Sequence, residues 1–202
     1  MPRTAERGGP QTRARIREAS NALFIERGFD AVTVAEVARA AGVSSVTVFN
    51  HFPTKEDLFL DRADDATELL RSVVRDHEAH GDVVAALRNA TVELFEQRHP
   101  LSGVAPLSFG FYRTVAGAPS LVARAREIAA GLQRVLAEEL ERDDSFSGDA
   151  GLLAAFFIGG YSAQMVRTAG RLIAGDDYET VVEDHRVGLN SMFDALNKGF
   201  AN

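Results

Sequence analysis

Apolar residues recur every three or four positions along almost the whole of this 202-residue chain, and strict alternation with polar residues is absent. Only a helical winding of about 3.6 residues per turn brings such positions onto one face, so the pattern commits the chain to an all-α fold. About nine helices are predicted. The first covers residues 12–27, with Ile16, Ala19, Leu23 and Phe24 on one side and Gly28 as its stop. Thr33-Val-Ala-Glu36 is a capping box opening a short second helix that breaks at Gly42. A third runs from Ser44 to Phe52-Pro53. Thr54-Lys-Glu-Asp57 opens a long fourth helix reaching about Glu78. Further helices are predicted near residues 82–98, 106–115, 120–142, 149–174 and 178–198.

Charge divides this plan unevenly. The chain carries −7 overall, yet residues 1–55 hold eight Lys and Arg against five Asp and Glu, while 56–202 hold 14 against 24. A basic head on an acidic body is the asymmetry expected when one part alone meets phosphate. The expected division is a head over residues 1–54, with a disordered tail at 1–11, and a helical body over 55–202. There is no cysteine, which removes disulfides, thiolate metal sites and a Cys nucleophile. Residues 1–11 lack the apolar stretch of a signal peptide. The longest apolar run, residues 152–158, is far below the roughly 20 needed to span a bilayer. A soluble, cytoplasmic protein with no membrane partner is expected.

The second and third helices have helix-turn-helix spacing. Steep crossing of two short helices needs a small residue, which Ala38 supplies; the turn needs a residue tolerant of positive φ, which Gly42 supplies four positions later. Val48 anchors the third helix from its inner side. Its other face then carries Ser44, Ser45, Thr47, Asn50 and His51, short hydrogen-bonding side chains suited to a major groove.

The run Thr33-Val-x-Glu-Val-Ala-x-Ala-Ala-Gly-Val-Ser-x-x-Thr-Val-Phe-Asn-His-Phe-Pro-Thr-Lys-Glu-Asp-Leu58 follows Arg15-Ile-x-Glu-Ala and Leu23-Phe-x-Glu-Arg-Gly-Phe29. Together they resemble the head of the tetracycline-repressor (TetR) family over residues 12–60. The body resembles that family in length and helical plan alone. The resemblance implies a homodimer, a C-terminal pocket for a small-molecule effector of unknown identity, and repression of a palindromic double-stranded DNA operator relieved by that molecule. It implies no cofactor, no metal and no catalytic residue. Carried over by position, Thr33 and Lys55 would hold phosphates, while Ser44, Ser45 and Thr47 would face phosphates and base edges. Two features depart from the commonest pattern. Phe49 stands where the family often has Tyr, leaving contact with sugar or a thymine methyl, and the third helix has no Arg or Lys to grip guanine.

Each of these residues has a structural alternative. Thr33 and Ser44 can simply be helix caps. His77-x-x-His80 could present two imidazoles to a metal, but no third ligand accompanies it, and a solvated helix end explains it. Gly160-Tyr-Ser-Ala-Gln164 lacks the second glycine and preceding strand of a nucleophile elbow; Gly159-Gly160 instead reads as close helix packing. A regulator without an effector, or an all-helical enzyme, remains an alternative.

In the body, aromatic residues gather with polar ones in two segments: Phe109, Tyr112 and Arg113, then Phe157, Tyr161 and Gln164. Apolar walls with a few polar groups are what a ligand pocket requires, although plain core accounts for them as well. The last two helices carry more apolar surface than a short body needs, so Phe156, Gly160, Leu189 and Phe193 are expected at a subunit interface.

Overall fold

The computed structural model describes residues 9–77, 82–106 and 108–200. All regular structure among them is helical. The chain divides into two compact units: Met1–Asp61 with Thr114–Ala125, and Arg62–Arg113 with Arg126–Asn202.

The first unit contains α1 (Pro10–Arg27), α2 (Val34–Ala40), α3 (Ser45–His51) and α4 (Lys55–Phe59). Pro10 and Gln11 are thus helical, while residues 1–8 of the expected tail lie outside the described residues. Helix α1 starts with Pro10 in its first turn, where the missing amide costs nothing. It buries Ile16, Ser20 and Phe24, spaced by four. Phe24, Phe29 and Phe59 meet edge-on or tilted, with ring centroids 5.2–6.0 Å apart, and Val32, Val37, Val48, Phe52 and Leu58 complete this core.

The long fourth helix anticipated from the sequence is two helices. Leu60 leaves helical geometry with ψ at 49°, and α5 (Ala63–Arg75) starts afresh after Arg62. No glycine or proline marks the break. Beside the break, Arg17 of α1 pairs with Asp61 at 3.4 Å, and Arg62 turns to Asp65 at 2.8 Å.

The second unit holds α5, α6 (Val83–Glu96), a 3-10 turn at Pro100–Ser102, α9 (Ala150–Ala174) and α10 (Tyr178–Phe200). It also takes residues 108–113 of α7 (Ser108–Gly117) and 126–141 of α8 (Pro119–Glu141). Its core is built from Leu70, Val74, Leu87, Leu136, Leu140, Leu153, Phe157, Phe193 and Leu196. A Cβ on Gly160 would fall 2.8 Å from the Met192 sulfur, so this glycine is what lets α9 and α10 pack together. Gly175, at φ 87°, reverses the chain between them. Among the described residues no helix is long and apolar enough to cross a membrane.

Candidate nucleic-acid interface

Helices α2 and α3 are held at a tight corner. Ala38 is buried where they meet, and Gly42 adopts φ 66° so that the Val43 amide can donate to the Ala38 carbonyl at 2.9 Å. Val48 is fully buried and fixes the inner side of α3. The opposite side is open: Ser44, Phe49 and Asn50 are exposed, and Ser45, Thr47 and His51 are half-buried. Val46, which the helix-turn-helix pattern does not single out, is 69 % exposed beside Phe49 at 49 %. Its position three before Phe49 is the signal that could have found it.

The ends of these helices are satisfied from within. The Thr33 hydroxyl accepts from the Glu36 amide and donates to the Glu36 carboxylate, which also accepts from the Thr33 amide at 2.8 Å and from Arg27 at 2.7 Å. Those bonds, from the Thr33 backbone first, then its hydroxyl and Arg27, hold the Glu36 carboxyl down at about 2. The Ser44 oxygen accepts from the Thr47 amide at 3.0 Å and pairs with the Thr47 hydroxyl at 2.9 Å. Thr33 and Ser44 therefore both serve as caps, and the Thr33 proton is committed to Glu36. A second capping box, Thr54 with Asp57, opens α4, and Arg124 donates to the same Asp57 carboxylate at 2.8 Å.

Two cations shape this surface, one of them outside the motif. Arg13 of α1, which no motif marks, donates to the His51 carbonyl at 2.8 Å and lies 4.4 Å above the Phe52 ring, closing the C-terminal end of α3. Lys55, expected at a phosphate, sits with its ammonium 4.3 Å from the Phe29 ring centre, so that its position at the start of α4 is fixed by an aromatic face. The result is a helix face without Arg or Lys, flanked by placed cations.

The residues expected to line an effector pocket have other engagements in the second unit. Tyr112 donates to the Gly103 carbonyl at 2.9 Å and Tyr161 to the Leu101 carbonyl at 2.8 Å. Gln164 reaches the Gly188 carbonyl at 3.4 Å. Phe157 packs against Phe193 in the core, while Phe109 and Arg113 are exposed and stacked on one another at 5.1 Å. Of the residues expected at a subunit interface, Phe156 is exposed, Gly160 faces Met192 within the unit, and Leu189 and Phe193 are buried in the unit's own core. The apolar period of α10 is real, but its strongest stripe is consumed internally. What stays exposed on α9 is a seam spaced alternately by four and three: Leu152, Phe156, Gly159, Ala163, Val166, Gly170 and Ile173. A groove of about 310 Å³ opens beside it, lined by Phe156, Met192, Ala195, Leu196 and Gly199.

His77 is buried and its Nε2 lies 2.5 Å from Asp143; its sequence companion His80 lies outside the described residues. Among the described residues no group of three or more His, Cys, Asp or Glu is arranged to hold a metal ion.

Residues 16–61 match the family described as bacterial regulatory proteins, tetR family. An HTH-type transcriptional regulator of Haemophilus influenzae is 30 % identical over 83 residues, covering 41 % of this chain and 40 % of that protein. The AcrR regulator of Shigella flexneri is 26 % identical over 98 residues, 48 % of this chain and 46 % of its own. The chain thus spans less than half the length of these curated relatives. The crystal structure of Thermus thermophilus FadR, a TetR-family transcriptional repressor in complex with lauroyl-CoA, is 28 % identical with a TM-score of 0.51, over 88 % of this chain and 92 % of that one.

Proposed function

We propose, on the match of residues 16–61 to the bacterial tetR regulatory family, that the chain is a transcriptional repressor acting on double-stranded DNA in the cytoplasm. The observation that carries this reading is the outer face of α3, fixed from behind by Val48, from one end by the Ser44 cap and from the other by Arg13. Such a face enters a major groove without reorganising. Ser45, Asn50 and His51 meet base edges, Ser44 and Thr47 lie nearest the backbone, and Thr33 and Lys55 flank phosphates. Residues 1–54, with Lys55 at their border, contact DNA, and the rest of the chain dimerises and senses.

A homodimer on a palindromic operator follows from the requirement that protein and site share a two-fold axis. The alternating four-three seam on α9 supports it, because that period is what two helices need to interlock. Leu152, Phe156, Val166 and Ile173 take the place that Leu189 and Phe193 cannot fill.

A small-molecule effector acts by binding the DNA-free form more tightly, the one way a ligand can release an operator. The lauroyl-CoA held by the FadR relative supports an effector of this kind for the second unit. A regulator without an effector is favoured by a different observation: the hydroxyls of Tyr112 and Tyr161 are already committed to backbone carbonyls.

The test of the central reading is selection from a random duplex library with the full chain. Enrichment of a two-fold symmetric motif is expected. A folded protein that enriches nothing overturns it.

A further inference from the structure

The outer face of α3 is unusual in what it offers a base pair. It has no Arg or Lys, and the Ser44 and Thr47 hydroxyls pair with one another while the Ser44 oxygen also accepts from the Thr47 amide. Two of its exposed side chains are large and apolar. Val46 is 69 % exposed and Phe49 49 % exposed; at a spacing of three they lie side by side on the same helix surface. Neither belongs to the core of the first unit, which Val48 and Phe52 serve from the inner side. Adjacent apolar side chains that stand exposed and take no part in the core mark a contact surface.

The chemistry of that contact is set by its surroundings. The head is basic, with Arg39 exposed on α2 and Lys55 held on Phe29, so a polyanion fits and an acidic protein surface competes only through charge. Within a major groove, the one apolar group on any base edge is the thymine 5-methyl. Asn50, one residue beyond Phe49 and four beyond Val46, has an amide that matches the N6 and N7 edge of adenine. Asn50 reading adenine and an apolar pair reading thymine select the same base pairs.

We propose that Val46 and Phe49 form a methyl-reading pair that directs α3 to A·T base pairs through their thymine 5-methyl groups. The proposal rests on the reading of the chain as a DNA-binding regulator. Each thymine methyl buried against the pair contributes about fourfold in affinity, the value of one buried methyl.

The experiment starts from a duplex enriched by the full chain in selection. Each thymine is replaced, one at a time, by deoxyuridine, which keeps every hydrogen-bonding edge and removes only the methyl. Wild-type protein should bind about fourfold more weakly at one or two positions in each half-site. Val46→Ala and Phe49→Ala should each abolish that penalty at their own position, bringing the thymine-to-uracil ratio there to one. Both changes are at exposed positions, and circular dichroism melting verifies that the variants fold. Equal wild-type affinity for all uracil-substituted duplexes, or an undiminished penalty in both variants, overturns the proposal while leaving DNA binding intact. Failure to enrich any duplex overturns the DNA-binding reading itself, and this inference with it.

Discussion

The Tyr161 hydroxyl donates to the Leu101 carbonyl at 2.8 Å, across 60 residues of chain. The other two tyrosines of the protein do the same nearby: Tyr112 reaches the Gly103 carbonyl at 2.9 Å and Tyr178 the Val104 carbonyl at 2.6 Å. Helices α7, α9 and α10 are thereby tied to one short loop that would otherwise carry unpaired carbonyls. Burial pushes the phenols of Tyr112 and Tyr161 well above their ordinary range, so both remain donors throughout physiological pH.

Removing one of these hydroxyls strands a carbonyl. Tyr161→Phe should cost about 1–3 kcal/mol in urea unfolding, the range for a lost partner of a buried polar group. Phe109→Leu, at an exposed site, should stay within about 0.5 kcal/mol. Equal effects in the two variants would mean that the tyrosine bonds do not hold the loop.

His185 makes stability depend on pH. It is buried, stacked on Phe95 with centroids 6.1 Å apart, and its Nδ1 lies 2.6 Å from the Thr168 hydroxyl, while its Nε2 makes no full hydrogen bond. Burial drives its pKa from 6.5 down to about 4, only partly opposed by the Ser102 backbone. The folded state therefore binds the proton more weakly than the unfolded chain. Its contribution is full above pH 6.5 and is lost as pH falls towards 4, on the order of 3 kcal/mol in all. Comparing wild type with His185→Gln over this window should show the wild type falling more steeply; parallel curves would contradict the assignment.

Two glycines separate strain from freedom. A Cβ on Gly103 would meet the Met165 sulfur at 2.3 Å and the Tyr112 hydroxyl at 2.7 Å, at a φ of 81°. Gly103→Ala should destabilise by about 2–4 kcal/mol, combining overpacking with a left-handed backbone. Gly131 lies in the middle of α8, where an added Cβ would approach the Arg134 guanidinium at no less than 4.0 Å. Gly131→Ala should stabilise by about 0.5–1 kcal/mol through helix propensity. Thermal melting of both variants decides, and a Gly103→Ala protein as stable as wild type would show that the loop is not packed as described.

The seam on α9 and the core of the second unit respond differently to charge. Val166→Glu combined with Phe156→Glu should give a folded monomer in sedimentation, because both side chains are exposed within the subunit. Leu189→Glu buries a carboxylate in the core and should unfold the chain. A double variant that still sediments as a dimer would move the interface elsewhere.

The capping boxes at Thr33 and Thr54 and the Gly42 turn are legible in the sequence because they depend on residues three or four apart, where local physics decides. The break at Leu60 is not legible, since no glycine or proline lies between the helices and the ion pair beside it joins Arg17 to Asp61, 44 positions apart. The tyrosines are ambiguous for a similar reason. An aromatic hydroxyl inside an apolar segment signals a polar partner without saying whether that partner is a ligand or a distant carbonyl. Leu189 and Phe193 show the limit of periodicity: an apolar stripe announces burial, yet a neighbouring helix of the same chain and a second copy of it satisfy the stripe equally well.

The most direct test of the central claim is the affinity of the full chain for its selected duplex and for a scrambled one, measured by fluorescence anisotropy across a salt series. Asn50→Ala should cost about 1–3 kcal/mol on the selected duplex and leave the scrambled one unchanged. Lys55→Ala should weaken both and lower the salt slope by about one. Equal affinity of the wild type for both duplexes, with no change on either substitution, would contradict the assignment of the α3 face to sequence-specific DNA recognition.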